Sequence, residues 1–381
     1  MKKVLHVGKF YPPVAGGMER AVETVCLASE GLVESRVLAM NASRRSVEET
    51  RDGVHVTRVG RMGSAGSVGI APGFARALGR ADADLIVLHE PNPWALLSYA
   101  IVHPLPPVVI WYHSDVVRPA LQYAVFYAPI ARPAYRRAER FIVSSAALAA
   151  HADALRPYRD RVRVIPFGID ASPWRGVDAS SPFVLFAGRH VAYKGVDVLL
   201  RALQGTAVHA VIAGDGPARG EWESLAAGLG LDQQVRFVGG VPDVELRALM
   251  QSCAALVLPS ITRAEAFGYV QLEAMASSKP IVSTDVPSGV SWVNQHETTG
   301  LIVRAGDAGA LRAALERLMN DPPLRRRFGE AGRRRVEEEF TLTRLRDRLR
   351  SLYGELGLLA EELGESEGRS LVQGSPRGEA W

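Results

Sequence analysis

Two acids, Glu265 and Glu273, flank a predicted helix start in the stretch Ser260-Ile-Thr-Arg-Ala-Glu-Ala-Phe-Gly-Tyr-Val-Gln-Leu-Glu-Ala-Met-Ala276. Paired carboxyl groups suit acid–base work or the holding of a polyhydroxylated ligand. The apolar run Ala254 to Leu258 before them reads as a buried strand that turns at Pro259 and Ser260. The acids therefore lie at a strand's carboxyl end, where open α/β sheets bind ligands. A helix start there suits an anion, and Gly268 permits close backbone approach. Two cations, Arg189 and Lys194, follow another strand in Phe186-Ala-Gly-Arg-His-Val-Ala-Tyr-Lys-Gly195. Arginine offers a planar fork and lysine a point charge, a pair that can hold a diphosphate. Taken alone the same motif reads equally as solvated surface charge, and its weight comes from sharing a sheet edge with the two acids.

Glycine turns at Ala213-Gly-Asp-Gly-Pro217 and Gly239-Gly-Val-Pro242 end the next two strands at that edge. Backbone groups at Gly240 and Val241 could meet a nucleobase, with a purely steric turn as the alternative; Asp215 carries less weight. In the first half of the chain, Gly16 and Gly17 lie between a strand and a helix, as either a phosphate-facing loop or a tight turn. Their spacing is not Gly-x-Gly-x-x-Gly, which disfavours a nicotinamide cofactor. His113 follows the apolar run Val108 to Tyr112 and stands at a strand tip, where a structural role competes with a site role. Asp82 and Asp84 precede a strand, at the opposite edge, and read as a turn. No His or Cys grouping has metal-ligand spacing, so neither a metal nor a cofactor is expected.

The elements that must position these groups repeat along the chain. Apolar runs near Val4 to Phe10, Arg36 to Met40, Val54 to Val59, Leu85 to His89, Val108 to Tyr112, Phe141 to Ser144 and Val162 to Pro166 read as strands. Helical or loop segments separate most of them, which predicts a largely parallel sheet covered on both faces. The pattern restarts with strands at Phe183 to Ala187, Ala210 to Gly214, Val235 to Val238, Leu256 to Pro259, Ile281 to Ser283 and Gly300 to Val303. The fold class is thus α/β with two domains, 1–168 and 169–343, hinged in Gly168 to Val177. Gly60 to Gly73, rich in glycine and serine, is the expected mobile loop. Leu345, Leu349, Leu352, Leu356, Leu359 and Leu363 form one stripe of a predicted helix over 344–363. Residues 364–381 read as a disordered tail.

A length of 381 residues suits two domains, and a net charge of +4 is too small at that length to imply nucleic acid. The only cysteines, Cys26 and Cys253, lie in apolar segments and fit a reducing cytoplasm. The apolar run before Lys9 is too short for an export signal, and no stretch has the length to cross a bilayer. Tyr123 to Arg140 mixes aromatics with Arg132, Arg136, Arg137 and Arg140. It reads either as an ordinary amphipathic cover for the sheet or as a surface for anionic lipid headgroups.

Tyr11 to Gly17, Trp111-Tyr-His-Ser-Asp115, Arg163 to Asp170, Gly188 to Gly195, Gly214 to Pro217 and Glu265 to Glu273 together resemble, in that order, the retaining glycosyltransferases of family 4. The resemblance spans roughly residues 3 to 355. It implies the GT-B architecture, two facing Rossmann-like domains with the last helix crossing back to the first. The first domain would take the acceptor, a glycan or lipid-linked saccharide, and the second a nucleotide diphosphate sugar. Carried over by position, Arg189 and Lys194 would bind the diphosphate, Glu265 the sugar hydroxyls and Glu273 the ribose. Backbone groups of Phe267, Gly268, Tyr269 and Val270 would face the sugar and diphosphate. Gly16 and Gly17 would close over the donor, and His113 would lie near the reacting sugar. Trp111 to Asp115 and Ser283 to His296 resemble the mannosyltransferase branch of cell-surface polysaccharide synthesis, which favours GDP-mannose over UDP-glucose or UDP-N-acetylglucosamine. The competing expectations are a nucleotide-sugar epimerase or hydrolase and a non-catalytic nucleotide-sugar-binding protein. A periplasmic sugar-binding protein would need an export signal, and a dehydrogenase the missing fingerprint. The expected location is the cytoplasm, at the inner face of the plasma membrane if the basic surface meets lipid.

Overall fold

The computed structural model describes residues 1–14, 16–65, 68–115, 123–174 and 181–359. Two sheets dominate. The first contains β1 (Lys3–Val7), β2 (Glu34–Met40), β3 (Val47–Arg51), β4 (Val54–Val59), β7 (Leu85–Glu90), β8 (Val108–Tyr112), β9 (Ala138–Val143) and β10 (Val162–Val164). Their spatial order is β10-β9-β8-β7-β1-β2-β4-β3, parallel except for β3. The second sheet contains β11 (Phe183–Ala187), β12 (His209–Ala213), β13 (Val235–Gly239), β14 (Ala255–Leu258), β15 (Ile281–Thr284) and β16 (Gly300–Val303). It is wholly parallel, in the order β13-β12-β11-β14-β15-β16. Every residue of β7, β8, β14 and β15 is buried, as strands covered on both faces require.

Two elements depart from the sequence reading. The polar segment Val-Glu-Glu-Thr-Arg forms β3, an antiparallel edge strand that is almost wholly exposed and so carries no apolar signal. Within Gly60 to Gly73, β5 (Gly63–Ala65) and β6 (Val68–Ile70) pair as a short antiparallel ribbon.

The chain crosses between the sheets twice, at adjacent points. Ile169 N donates to the Phe340 carbonyl at 2.7 Å, and a Cβ on Gly168 would lie 2.7 Å from the Thr341 carbonyl oxygen. Thr341 then caps the last helix, Leu342–Glu355, by accepting from Arg344 N. That helix lies on helix Gly17–Ala28 of the first lobe, where the Tyr353 and Ser29 hydroxyls share a 2.9 Å hydrogen bond and Arg346 donates to the Ala28 carbonyl. Leu345 and Leu349 are fully buried there, worth about 1.5–3 kcal/mol each.

The helix ends at Glu355, short of the predicted 363. Gly357 adopts a left-handed conformation (φ 67°), and Leu358 N donates back to the Tyr353 carbonyl, which closes the helix while Leu356 and Leu359 still pack on the core. Leu363, residues 175–177 of the hinge and the tail 364–381 lie outside the described residues. Among the described residues no helix is long and apolar enough to cross a membrane.

Candidate functional site

In the second lobe, the ends of β11, β12 and β13 lean on one another. Gly188 N donates to the Ala213 carbonyl at 3.0 Å and Gly214 N to the Gly239 carbonyl at 2.7 Å. A Cβ on Gly214 (φ 121°) would strike the Gly188 carbonyl, so glycine is required for that approach. Gly240 and Val241 follow directly, Gly240 exposed and Val241 packed on the core.

Beside these turns a short helical turn, Ala192–Lys194, places Lys194 against the loop after β14. Ile261 N donates to the Tyr193 carbonyl at 2.9 Å, pinning the two segments together. Lys194 Nζ donates to Glu265 Oε2 at 2.5 Å, and the same oxygen accepts from Ser260 Oγ at 3.0 Å. The pair is nearly enclosed, with side chains 12% and 9% exposed. Burial opposes the lysine charge, yet the Glu265 carboxylate raises the Lys194 pKa above its ordinary value. The result is a fixed cation and a fixed anion at one strand end. Arg189 stays exposed nearby, and its charge reaches Lys9 and Glu19 of the first lobe.

The stretch from Glu265 to Glu273 serves packing as well as polarity. Phe267 is 4% exposed and meets the Phe167 ring edge-on at 5.1 Å, so its side chain is a core contact and only its backbone remains for a ligand. Gly268 (φ 71°) lies so near Leu258 and Gln271 that a Cβ would sit 2.6 and 2.9 Å from them. Tyr269 donates to the Gly168 carbonyl at 2.6 Å and shares a 3.3 Å bond with Thr24, tying the helix Val270–Ala276 to the hinge. Glu273, in that helix, is buried and its Oε1 lies 3.3 Å from Arg20 Nη1 of the first lobe. Burial pushes the Glu273 carboxyl up to about 7, against the lowering effect of Arg20.

The first lobe supplies a different rim. The Tyr11–Pro13 loop is held by Arg58, which donates to the Tyr11 carbonyl at 2.9 Å and pairs with Glu49 at 2.7 Å. Gly16 and Gly17 begin helix Gly17–Ala28, but Glu19 folds its carboxylate back over Gly16, while a Cβ on Gly17 would meet nothing within 4 Å. Of the two glycines, Gly17 is the open one. His113 sits just past β8, its N–H donating to the Glu90 carbonyl at 2.9 Å, and its ring stacks on Phe167 at 5.6 Å. Phe167 in turn touches Phe267, so one aromatic row joins the two rims.

Direct bonds also cross between the lobes. Arg263 Nε lies 3.1 Å from Asp115 Oδ2, and Tyr112 donates to the other oxygen of Asp115 at 2.6 Å. A cavity of about 140 Å³ remains beside the Arg20–Glu273 contact, lined in part by Thr24, Trp174, Asp243, Arg247 and Tyr269. Asp82 and Asp84 stand apart at the far edge, paired with Lys3 and Lys2. Among the described residues no group of three or more His, Cys, Asp or Glu is placed to hold a metal ion.

Sequence reasoning passed over Arg20, Glu19, Asp115, Arg263, His6 and His89. The ion-pair partners lie up to 253 positions apart (273 − 20). The histidines did leave a signal, one at or just past the carboxyl end of each of three strands, but strand order was needed to read it.

Comparison with known proteins fits this geometry. The family described as Glycosyltransferase Family 4 matches residues 15–172, and Glycosyl transferases group 1 matches residues 173–335. A D-rhamnosyltransferase of Pseudomonas aeruginosa is 33% identical over 357 residues, covering 89% of this chain and 92% of that protein. The chain belongs to the family 4 glycosyltransferases. Another relative, O-antigen chain mannosyltransferase C of Escherichia coli, is 30% identical over 368 residues, covering 92% of this chain and 98% of that one. Among solved structures, sucrose-phosphate synthase from Thermosynechococcus elongatus superposes with a TM-score of 0.78 at 22% identity, over 94% of this chain and 99% of that one. The Anabaena HepE structure in complex with UDP and glucose gives 0.77 at 19% identity, over 93% and 100%. These two likenesses concern the fold, two Rossmann-like domains in the GT-B arrangement, as expected from the sequence.

Proposed function

We propose that this glycosyltransferase moves a hexose, mannose from GDP-mannose foremost, onto a glycan or lipid-linked saccharide of the cell surface, with retention of anomeric configuration. The observation that carries the reading is the enclosed Lys194–Glu265 pair at the carboxyl edge of the second sheet, with exposed Arg189 beside it. Cleavage of the sugar–phosphate bond leaves negative charge on the nucleoside diphosphate, and a fixed cation in an enclosed site stabilises it without reorganising, with an exposed second cation adding to it. Lys194 and Arg189 serve that charge, the Phe267 to Val270 backbone lines the sugar and diphosphate, and Gly240 and Val241 border the base. Glu265 accepts hydrogen bonds from the sugar hydroxyls, and His113 faces the sugar from the other rim. Gly17, with Gly16 behind it, closes over the donor.

In this scheme the bond from the anomeric carbon to the phosphate oxygen breaks, and the acceptor oxygen bonds that carbon from the same face. The acceptor proton passes to the departing phosphate oxygen, so no metal is required for the balance. Glu273 takes the ribose hydroxyls only after Arg20 releases it, which makes lobe opening part of nucleotide entry. The mannosyl and rhamnosyl relatives support the choice of sugar. A thermal-shift panel of GDP, UDP, GDP-mannose, UDP-glucose and UDP-N-acetylglucosamine tests it. The largest shift should come from the guanine ligands; a larger shift with the uridine set would replace the donor. Rapid donor consumption without acceptor would favour a hydrolase or epimerase.

The acceptor side of the proposal includes peripheral contact with anionic lipid at the inner membrane face, from the cytoplasm. Arg132, Arg136 and Arg137 are exposed on helix Ala128–Arg137, which continues from a turn exposing Phe126 (73%). Arg137 also donates to the Pro104 carbonyl at 2.9 Å, beside Leu105 (93% exposed). Basic and apolar side chains so arranged suit lipid headgroups. Arg132→Glu with Arg136→Glu should reduce sedimentation with phosphatidylglycerol vesicles severalfold at an unchanged melting temperature. Unaltered sedimentation would remove the membrane from the account.

A further inference from the structure

Three neighbouring strands of the first sheet, β8, β7 and β1, each bring a histidine to their carboxyl ends: His113, His89 and His6. The rings form a continuous chain. His6 Nδ1 and His89 Nε2 share a 3.0 Å hydrogen bond, and His89 Nδ1 and His113 Nε2 share one of 2.8 Å. His6 and His89 are fully buried, and only His113 keeps exposed surface, 8%. The far end of the chain, His6 Nε2, is buried without a hydrogen-bond partner. Trp111 and Phe167 cover the rings, stacking on His89 at 5.6 Å and on His113 at 5.6 Å respectively.

Burial lowers the pKa of His6 to about 4 and of His113 to about 3, so the rings are neutral at ordinary pH. A neutral imidazole has one donor and one acceptor nitrogen. Two shared bonds among three such rings leave only two arrangements, which differ in the direction every bond points. One leaves His6 Nε2–H as a buried donor with no acceptor. The other leaves a bare nitrogen there and puts the outer proton on His113 Nδ1, in the one ring of the three that keeps exposed surface. Orphaned buried N–H groups are the rarer and costlier defect.

We infer that His89 and His6 are positioning residues that polarise His113, holding it in the tautomer that donates from Nδ1 into the cleft. An acceptor there is met by a donor already aimed, with no rotamer or tautomer change to make on binding. The kinetic consequence rests on the reading of His113 as facing the donor sugar; the tautomer itself does not.

Long-range 1H–15N correlation spectra of the full chain, labelled at histidine, test it in the ligand-free protein. The expected pattern is protonated Nδ1 with bare Nε2 at both His113 and His6, and protonated Nδ1 at His89. Protonated Nε2 at His113 or His6 would overturn the inference. His89→Asn, whose amide can replace the Nδ1 donor, should keep the His113 tautomer, whereas His89→Leu should lose it. The same pair read as kcat/KM should show about a tenfold loss for leucine, the worth of one well-aimed hydrogen bond, and recovery for asparagine. A folded His89→Leu protein that keeps His113 Nδ1–H also overturns the relay. Loss of that tautomer with unchanged kcat/KM would leave the relay standing and move His113 away from the sugar.

Discussion

The two rims of the interlobe cleft are made of different chemistry on nearly the same fold. Beside the charged side chains of Lys9, Glu19 and Asp115, the strand ends of the first lobe offer a neutral rim, three buried imidazoles, and a Glu90 carboxyl that burial raises to about 7. The second lobe offers a charged one, Lys194 and Glu265 locked together with Arg189 beside them. Both rims end parallel strands, so backbone architecture does not make the difference. What differs is enclosure: imidazoles stacked beneath Trp111 and Phe167 cannot be charged cheaply, whereas Lys194 keeps its charge because Glu265 was buried with it. A ligand carrying charge at one end and hydroxyls at the other would find each end matched. That is the shape of a nucleotide diphosphate sugar.

The comparison breaks most visibly at Lys194. Lys194→Met should lower kcat/KM by about 10³-fold, the scale of losing a preorganised contact to a developing oxyanion. His113→Gln, on the neutral rim, should cost only about tenfold. Equal losses would mean that the rims are not divided as described. Melting temperatures must accompany both, since Lys194→Met leaves Glu265 enclosed without its cation.

A smaller effect sharpens the border between the rims. Glu273 has a folded pKa near 7, raised from its ordinary 4.5. A raised acid favours the folded state below its unfolded value, and that advantage is lost as pH rises through the folded one. Its stabilising contribution is therefore complete below about pH 4.5 and gone above about pH 7. Glu273→Gln cannot titrate, so the melting temperature of the wild type minus that of the variant should decline between pH 5 and pH 8. A flat difference would show that Arg20 holds Glu273 ionised throughout.

Much of the fold is legible in the sequence. Buried parallel strands announce themselves as apolar runs, and the glycine turns fall where strands β11, β12 and β13 end side by side; Lys194 and Glu265, read separately as diphosphate and sugar contacts, prove to be hydrogen-bonded partners. The strand β3 was hidden because an exposed edge strand needs no apolar residues. The imidazole chain was hidden for another reason. His6 and His89 look like minor polar interruptions of apolar runs until the order β8-β7-β1 makes them neighbours. Arg20 was likewise unremarkable until lobe closure set it against Glu273. Composition and periodicity report burial and element type, whereas contacts between distant strands depend on sheet order, and contacts between lobes on how the lobes close.

The central claim, that the charged rim grips the donor with Glu265 at the sugar, is met most directly by Glu265→Gln. Calorimetry with GDP and transfer from GDP-mannose should be measured on that variant and the wild type together. The account predicts GDP affinity within about threefold of the wild type, less than the worth of one hydrogen bond, and transfer reduced by at least about 10²-fold. Full transfer activity in the variant would contradict it.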